Sequence, residues 1–363
     1  MIRRSLAVLL ALAWLAFMAP AVHAEHHHSV ACINSRLHGT LLDFTQNGDC
    51  DQRIYSPALC TCRDLYVYLP PGYDSKGTYP LLIWLHSYTD DECEFAFKVV
   101  PVIDAAIARG DLPPLVVAAP DGSLKGYHHW LAVGSWYVNS DHGRFADYIV
   151  EDCVRFMESN FAVCRNREGR AIAGFSMGGF GAYSLGLKNP HRFKVVAGIS
   201  PPLNMRYVGP DGRYATDYLA EGVPLRDDFR SLEVIGRFYG GMVKIRAYMI
   251  VRPVWGRGRE AVERVSADNP IELLDRLQVQ PGQQDFYAGY GEADELNIDA
   301  QVQSFLDIAR KRGIAVESRA YPCGDHSVVF MLSALPDMFA WMKDRLHCSP
   351  ITQTARLILP PSN

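Results

Sequence analysis

Hydrophobic and polar positions along the chain change period in a regular order. Leu65–Leu69 repeats every second residue and predicts a strand, closed by the turn Pro70-Pro71-Gly72-Tyr73-Asp74. Leu81–Leu85 is an unbroken apolar run of strand length, as a strand covered on both faces requires. Helical periodicity over Glu94–Arg109, despite Pro101, precedes a second buried strand at Leu115–Ala119. An amphipathic helix over Arg144–Asn160 leads to a short apolar strand, Ala171–Phe175, then a small-residue helix, Phe180–Lys188, then a strand at Val195–Ile199. The rhythm lapses over residues 202–282, which are rich in Arg, Gly, Tyr and Met. It resumes with strand Asp285–Tyr290, helix Ala300–Arg312, strand Ala315–Tyr321 and a helical segment Ser327–Leu346. Strands alternating with helices predict an α/β fold with a mostly parallel central sheet, helices on both faces and a cap insertion at 202–282.

The ends read differently. Residues 1–24 carry Arg3 and Arg4, an apolar run Leu6–Met18, then Pro20 and Ala-Val-His-Ala, the layout of a cleavable export signal. Its apolar run is shorter than the roughly 20 residues a bilayer span needs. The expected organisation is therefore a signal peptide (1–24), a cysteine-containing extension (25–62), the α/β domain (63–348) and a tail (349–363). The expected location is secreted or periplasmic, with no membrane span in the mature chain.

Composition narrows the partners. Of 363 residues, 48% are hydrophobic, and 36 Lys+Arg against 40 Asp+Glu leave a net charge of −4. Without a basic excess, a nucleic-acid partner is not expected. All nine cysteines follow the leader, where export would let disulfides persist. Spacing does not decide their connectivity. Candidate bridges lie among Cys32, Cys50, Cys60 and Cys62, and between Cys153 and Cys164. Cys60-Thr-Cys62 has the wrong spacing for a paired-cysteine zinc site.

The chemistry starts at Gly174-Phe175-Ser176-Met177-Gly178, a Gly-x-Ser-x-Gly pattern set between a strand and a helix. Glycines flank the serine because a side chain beside so sharp a turn would collide with it. A serine hydroxyl needs a base, and the base needs an orienting acid. His326, in Cys323-Gly324-Asp325-His326, and Asp294, in Gly291-Glu292-Ala293-Asp294, each follow a predicted strand. Both therefore belong to the sheet edge that carries Ser176. Glu292 and Asp299 are the alternatives to Asp294. The developing oxyanion needs two N–H donors: Met177, and either Ser87 or Tyr88 after Trp84-Leu85-His86. His86 is expected to shape that loop. His129, Trp130, Trp136 and Tyr137 are candidate substrate contacts, with packing of the cap as their alternative use.

Leu-Pro-Pro-Gly-Tyr-Asp, Trp-Leu-His, Ala-Pro-Asp-Gly and Gly-Phe-Ser-Met-Gly-Gly resemble the putative-esterase branch of the α/β-hydrolases. That branch contains esterase D, feruloyl esterases and antigen 85 mycolyltransferases. The resemblance spans roughly Arg63–Leu346 and includes Ser135-Trp136-Tyr137-Val138-Asn139-Ser140 before the nucleophile strand. It implies Ser176 as nucleophile, Asp294 as acid and His326 as base, with no metal or organic cofactor. This chain departs from the family at Leu85-His86-Ser87, where relatives often have Leu-His-Gly. The expected function is a serine carboxylic-ester hydrolase acting on a small-molecule ester. An acyltransferase of the same fold and a catalytically silent binding module are the alternatives. Oligomeric state is not readable.

Overall fold

The computed structural model describes residues 26–47, 50–126, 133–220, 225–229 and 232–348. The proposed leader, the tail, His129 and Trp130 lie outside them. Helix α1 (His26–Asn34) leads into an eight-stranded sheet. In chain order its strands are β1 (Thr40–Phe44), β2 (Leu65–Leu69), β3 (Leu81–Leu85), β4 (Val116–Pro120), β5 (Arg170–Phe175), β6 (Val195–Ile199), β9 (Asp285–Gly291) and β10 (Val316–Tyr321). The numbers β7 (Val234–Phe238) and β8 (Val243–Arg246) belong to a separate antiparallel hairpin.

Across the sheet the order is β1-β2-β4-β3-β5-β6-β9-β10. Everything from β4 to β10 is parallel, while β2 runs antiparallel to both neighbours. The residues expected to form an extension thus contribute the first edge strand, β1, and the sheet domain begins about 20 residues earlier than the sequence pattern places it. That strand has only five residues and a mixed pattern, which gives it a weak signal.

Strand geometry explains why the apolar runs are continuous. Side chains alternate between faces, so Leu81, Ile83 and Leu85 enter one core while Leu82 and Trp84 enter the other. The first core is closed by α3 (Val154–Asn160), α4 (Met177–Lys188) and α8 (Ile298–Lys311). The second is closed by α2 (Val100–Arg109) and α9 (Val328–Met342). Pro101 falls in the first turn of α2, directly after a π-helical turn, Phe95–Val99, and the change of hydrogen-bond spacing there accommodates its missing N–H.

The 202–282 stretch divides in two. The β7–β8 hairpin and α5 (Ala247–Trp255) form the cap proper, whereas α6 (Gly258–Asp268) and α7 (Pro270–Arg276) return to the helical layer beside α4. One disulfide is formed, between Cys164 before β5 and Cys348 after α9, a sequence separation of 184. The short Cys153–Cys164 loop is therefore not closed: Cys153 is buried and unpaired in the first core. Cys32, Cys50, Cys60 and Cys62 are also unpaired. Among the described residues, no helix is long and apolar enough to cross a membrane.

Candidate active site

The chain turns at Ser176 between β5 and α4 with φ 53° and ψ −116°, a left-handed conformation that costs a non-glycine residue energy. Its neighbours make the turn feasible. A Cβ on Gly178 would lie 1.9 Å from the Leu85 carbonyl oxygen, and one on Gly174 would lie 2.4 Å from the same atom. Both glycines are needed because the nucleophile turn sits directly against the end of β3. The Ser176 N–H donates to the Ile199 carbonyl at 2.9 Å, fixing the turn to β6.

Asp294 and His326 come from the loops after β9 and β10. Gly291 and Gly324 let those loops touch, since a Cβ on Gly291 would fall 2.1 Å from the Gly324 carbonyl oxygen. The Glu292 N–H donates to Tyr321 and the Ala293 N–H to Gly324, so acid and base loops are laced by backbone. His326 Nδ1 lies 2.7 Å from Asp294 Oδ2, and its Nε2 lies 2.8 Å from Ser176 Oγ. The carboxylate only accepts, so Nδ1 carries the proton and Nε2 is free to receive one from the serine. The second Asp294 oxygen accepts the Leu296 N–H at 2.9 Å. Phe175 stacks on the imidazole at 5.3 Å, and the His326 N–H donates to Glu295 at 2.8 Å. Glu292 and Asp299 do not take the place of Asp294. Glu295, whose carboxylate holds the histidine backbone, carries no motif that would single it out.

Burial draws the His326 pKa down, but the adjacent Asp294 carboxylate, with Glu295 and Asp325, outweighs it and holds the value above the ordinary 6.5. A positive charge on this imidazole would be stabilised by the same carboxylates.

The Met177 N–H, at the start of α4, and the Tyr88 N–H have no acceptor among the described residues. Ser87 is different. Its N–H donates to Glu94 Oε2 at 3.3 Å and its hydroxyl to the same oxygen at 2.6 Å, so Ser87 is committed away from the site. Of the two oxyanion candidates in this loop, Tyr88 lines the pocket at Ser176 and Ser87 is not among its walls. Glu94 is fully buried and was invisible to motif reading. His86 braces the loop from behind. Its Nδ1–H donates to the Ser87 carbonyl at 2.8 Å, and its Nε2 accepts the Gly122 N–H at 2.8 Å.

A narrow pocket of about 70 Å³ opens at Ser176, walled by Trp136, Met205, Phe229, Ile250, Val251 and Leu296 among others. Trp136 lines it. Tyr137 does not: it is fully buried, and its hydroxyl donates to the His86 carbonyl at 3.1 Å. Tyr137 is a packing residue whose ring lies so close to Gly122 and Gly181 that a Cβ there would fall 2.2 and 2.6 Å from it; the backbone is left-handed at both Trp136 and Tyr137 (φ 57° and 56°). A larger, open cavity along β10 and α8 is lined by Ser318 and Tyr218 but by no histidine that could serve either as a base.

The family described as "putative esterase" matches residues 56–342. An esterase of Mycobacterium tuberculosis is 27% identical over 289 residues, covering 75% of this chain and 53% of that protein. The S-formylglutathione hydrolase of Mus musculus is 34% identical over 170 residues, covering 40% of this chain and 57% of that one. The chain thus spans little more than half the length of the curated relatives it matches. Among solved structures, an S-formylglutathione hydrolase from Agrobacterium tumefaciens superposes with a TM-score of 0.62 at 18% identity, covering 86% of this chain and 97% of that one. A ferulic acid esterase superposes with a TM-score of 0.59 at 17% identity, covering 85% and 99%. Those two likenesses carry the fold, which is that of the α/β-hydrolases. The family match, extending over more than half of the chain, carries the membership: this protein belongs to the esterase family.

Proposed function

We propose that the protein is an exported serine carboxylic-ester hydrolase that works through an acyl-enzyme. The observation that carries this reading is the unbroken hydrogen-bond line Ser176–His326–Asp294 at the mouth of an apolar pocket. Ser176 Oγ attacks the ester carbonyl carbon while its proton passes to His326 Nε2. Asp294 holds the imidazole in the required tautomer and stabilises its charge. The carbonyl oxygen, now negative, is received by the Tyr88 N–H from the loop after β3 and by the Met177 N–H at the N-terminus of α4, where the helix dipole also favours negative charge. His326 returns the proton to the departing alcohol. Water, activated by the same base, then releases the acid and restores Ser176.

The walls of the pocket favour a compact apolar acyl group, since few polar atoms face a substrate there. Export is supported by the cationic and apolar leader pattern and by the Cys164–Cys348 bridge, a bond that persists in oxidising compartments.

The test is turnover of p-nitrophenyl butyrate by wild type and Ser176→Ala, with covalent labelling by a fluorophosphonate mapped by mass spectrometry. Loss of at least about 10⁴-fold in kcat, and a label confined to Ser176, are expected. Equal turnover by the two proteins would sink the reading. Adding a small alcohol during turnover measures whether water or an alcohol takes the acyl group, which separates hydrolase from acyltransferase.

A further inference from the structure

Eleven large apolar side chains are exposed among the described residues, and six of them lie within 18 positions of the cap: Leu232, Tyr239, Met242, Val243, Tyr248 and Met249. Tyr239 and Met242, at the tip of the β7–β8 hairpin, are 76% and 84% exposed. Folding ordinarily hides such groups, and a contiguous exposed cluster marks an interaction surface. The same stretch is strongly cationic. Between Leu232 and Arg259 stand Arg237, Lys244, Arg246, Arg252, Arg257 and Arg259 against the single acid Glu233, in a chain whose net charge is −4. Arg237, Lys244, Arg252 and Arg257 are exposed and make no ion pair with a described residue.

Helix α5 links this surface to the site. Tyr248, Met249 and Arg252 face outward, while Val251 and Trp255 are buried and Ile250 and Val251 line the Ser176 pocket. A second groove, of about 390 Å³, opens on the outer side, bounded by Phe229, Leu232, Tyr248, Val251, Arg252 and Arg257. Phe229 and Val251 line both spaces, so a wall one side chain thick separates them. The Tyr88 hydroxyl also donates to the Met249 carbonyl at 2.9 Å, tying α5 to the loop beside Ser176.

We propose that the outer face of the cap, the β7–β8 hairpin tip with the outward side of α5, docks on an anionic lipid bilayer. Exposed apolar residues interspersed with cations match a surface whose headgroups are negative and whose interior is hydrocarbon. A second copy of the chain fits poorly, because a two-fold contact would set the same unpaired cations against each other. The surface stands independently of the chemistry assigned to Ser176.

The experiment is co-sedimentation of the full chain with vesicles of phosphatidylcholine, alone or mixed with phosphatidylglycerol, at low and high salt. Binding to the mixed vesicles that salt weakens is expected. The double variant Tyr239→Ser/Met242→Ser should lose most of it, and Lys244→Ala should lower the partition coefficient about fivefold. Residues 1–24 are common to every protein tested, so the differences report the cap. Circular dichroism and turnover of a soluble ester should be unchanged in all variants. Any of three results would overturn the proposal: equal binding to both vesicle types, binding untouched by the hairpin variants but competed by a soluble polyanion, or hairpin-dependent dimerisation without vesicle binding. Absence of esterase activity alone would leave the vesicle result intact and would count against the hydrolase reading only.

Discussion

Burial and charge pull the His326 imidazole in opposite directions, and charge prevails. A base must be neutral to accept the serine proton. A raised pKa keeps it protonated further up the scale, so activity should rise with pH through a midpoint above 6.5. Asp294→Asn removes the raising charge: the acid limb of kcat/KM should move down, and kcat should fall about 10⁴-fold through loss of the tautomer. An unmoved limb would count against Asp294 as the partner. Gly178 gives a second test at this scale. With the Leu85 oxygen 1.9 Å from the added Cβ, Gly178→Ala should cost roughly 3 kcal/mol or more in urea unfolding and abolish turnover. Ser176, Asp294 and His326 were readable because each follows a strand, and strand ends in a parallel sheet share one edge. The aromatic loop was not readable in the same way. Trp136 and Tyr137 are adjacent and similar in character, and the glycines that seat the Tyr137 ring, Gly122 and Gly181, are distant in sequence, so no local pattern sends one to the pocket and the other into the core.

At the scale of elements, the loop after β3 depends on a buried carboxylate. Glu94 accepts both Ser87 donors, and burial pushes its pKa up to about 7. Where relatives often carry glycine, this chain has a serine held by an acid. On the proposed mechanism, in which the loop serves the oxyanion, Glu94→Ala should free the loop and lower kcat about 10- to 100-fold with little change in KM. Glu94→Gln keeps an acceptor oxygen and should retain most of the rate. A rise in KM alone would assign Glu94 to substrate binding. Strands and helices were legible from period because burial on both faces leaves continuous apolar runs. Strand β1 and the hairpin were not, being short or half exposed. The Cys164–Cys348 pair joins segments that become neighbours only after the sheet has formed, which spacing does not encode.

Across the whole molecule, several carboxyl groups are buried on one side of the site. Burial raises Asp64 from 3.8 to about 7, Glu94 from 4.5 to about 7, and Glu92 well above 4.5; like charges add to it, Asp91 and Asp121 at Asp64 and Glu92, and Asp90 at Glu94. A group whose pKa is higher in the folded state binds more protons there than in the unfolded chain. Its contribution to stability is therefore fully present below the unfolded value and declines as pH rises through the folded one. The raised His326 acts with the same sign. The melting temperature should accordingly fall between about pH 5 and about pH 8. A melting temperature that climbs over this interval would show that these carboxyl groups ionise at ordinary values.

Gly291 and Gly324 leave no gap between the two loops that carry Asp294 and His326, so acid and base ride on one platform, while the nucleophile is built into another across the β6 strand. On warming, the link between imidazole and carboxylate should therefore outlast the one to the serine, an order that the temperature dependence of the histidine ring-proton signals in nuclear magnetic resonance would check.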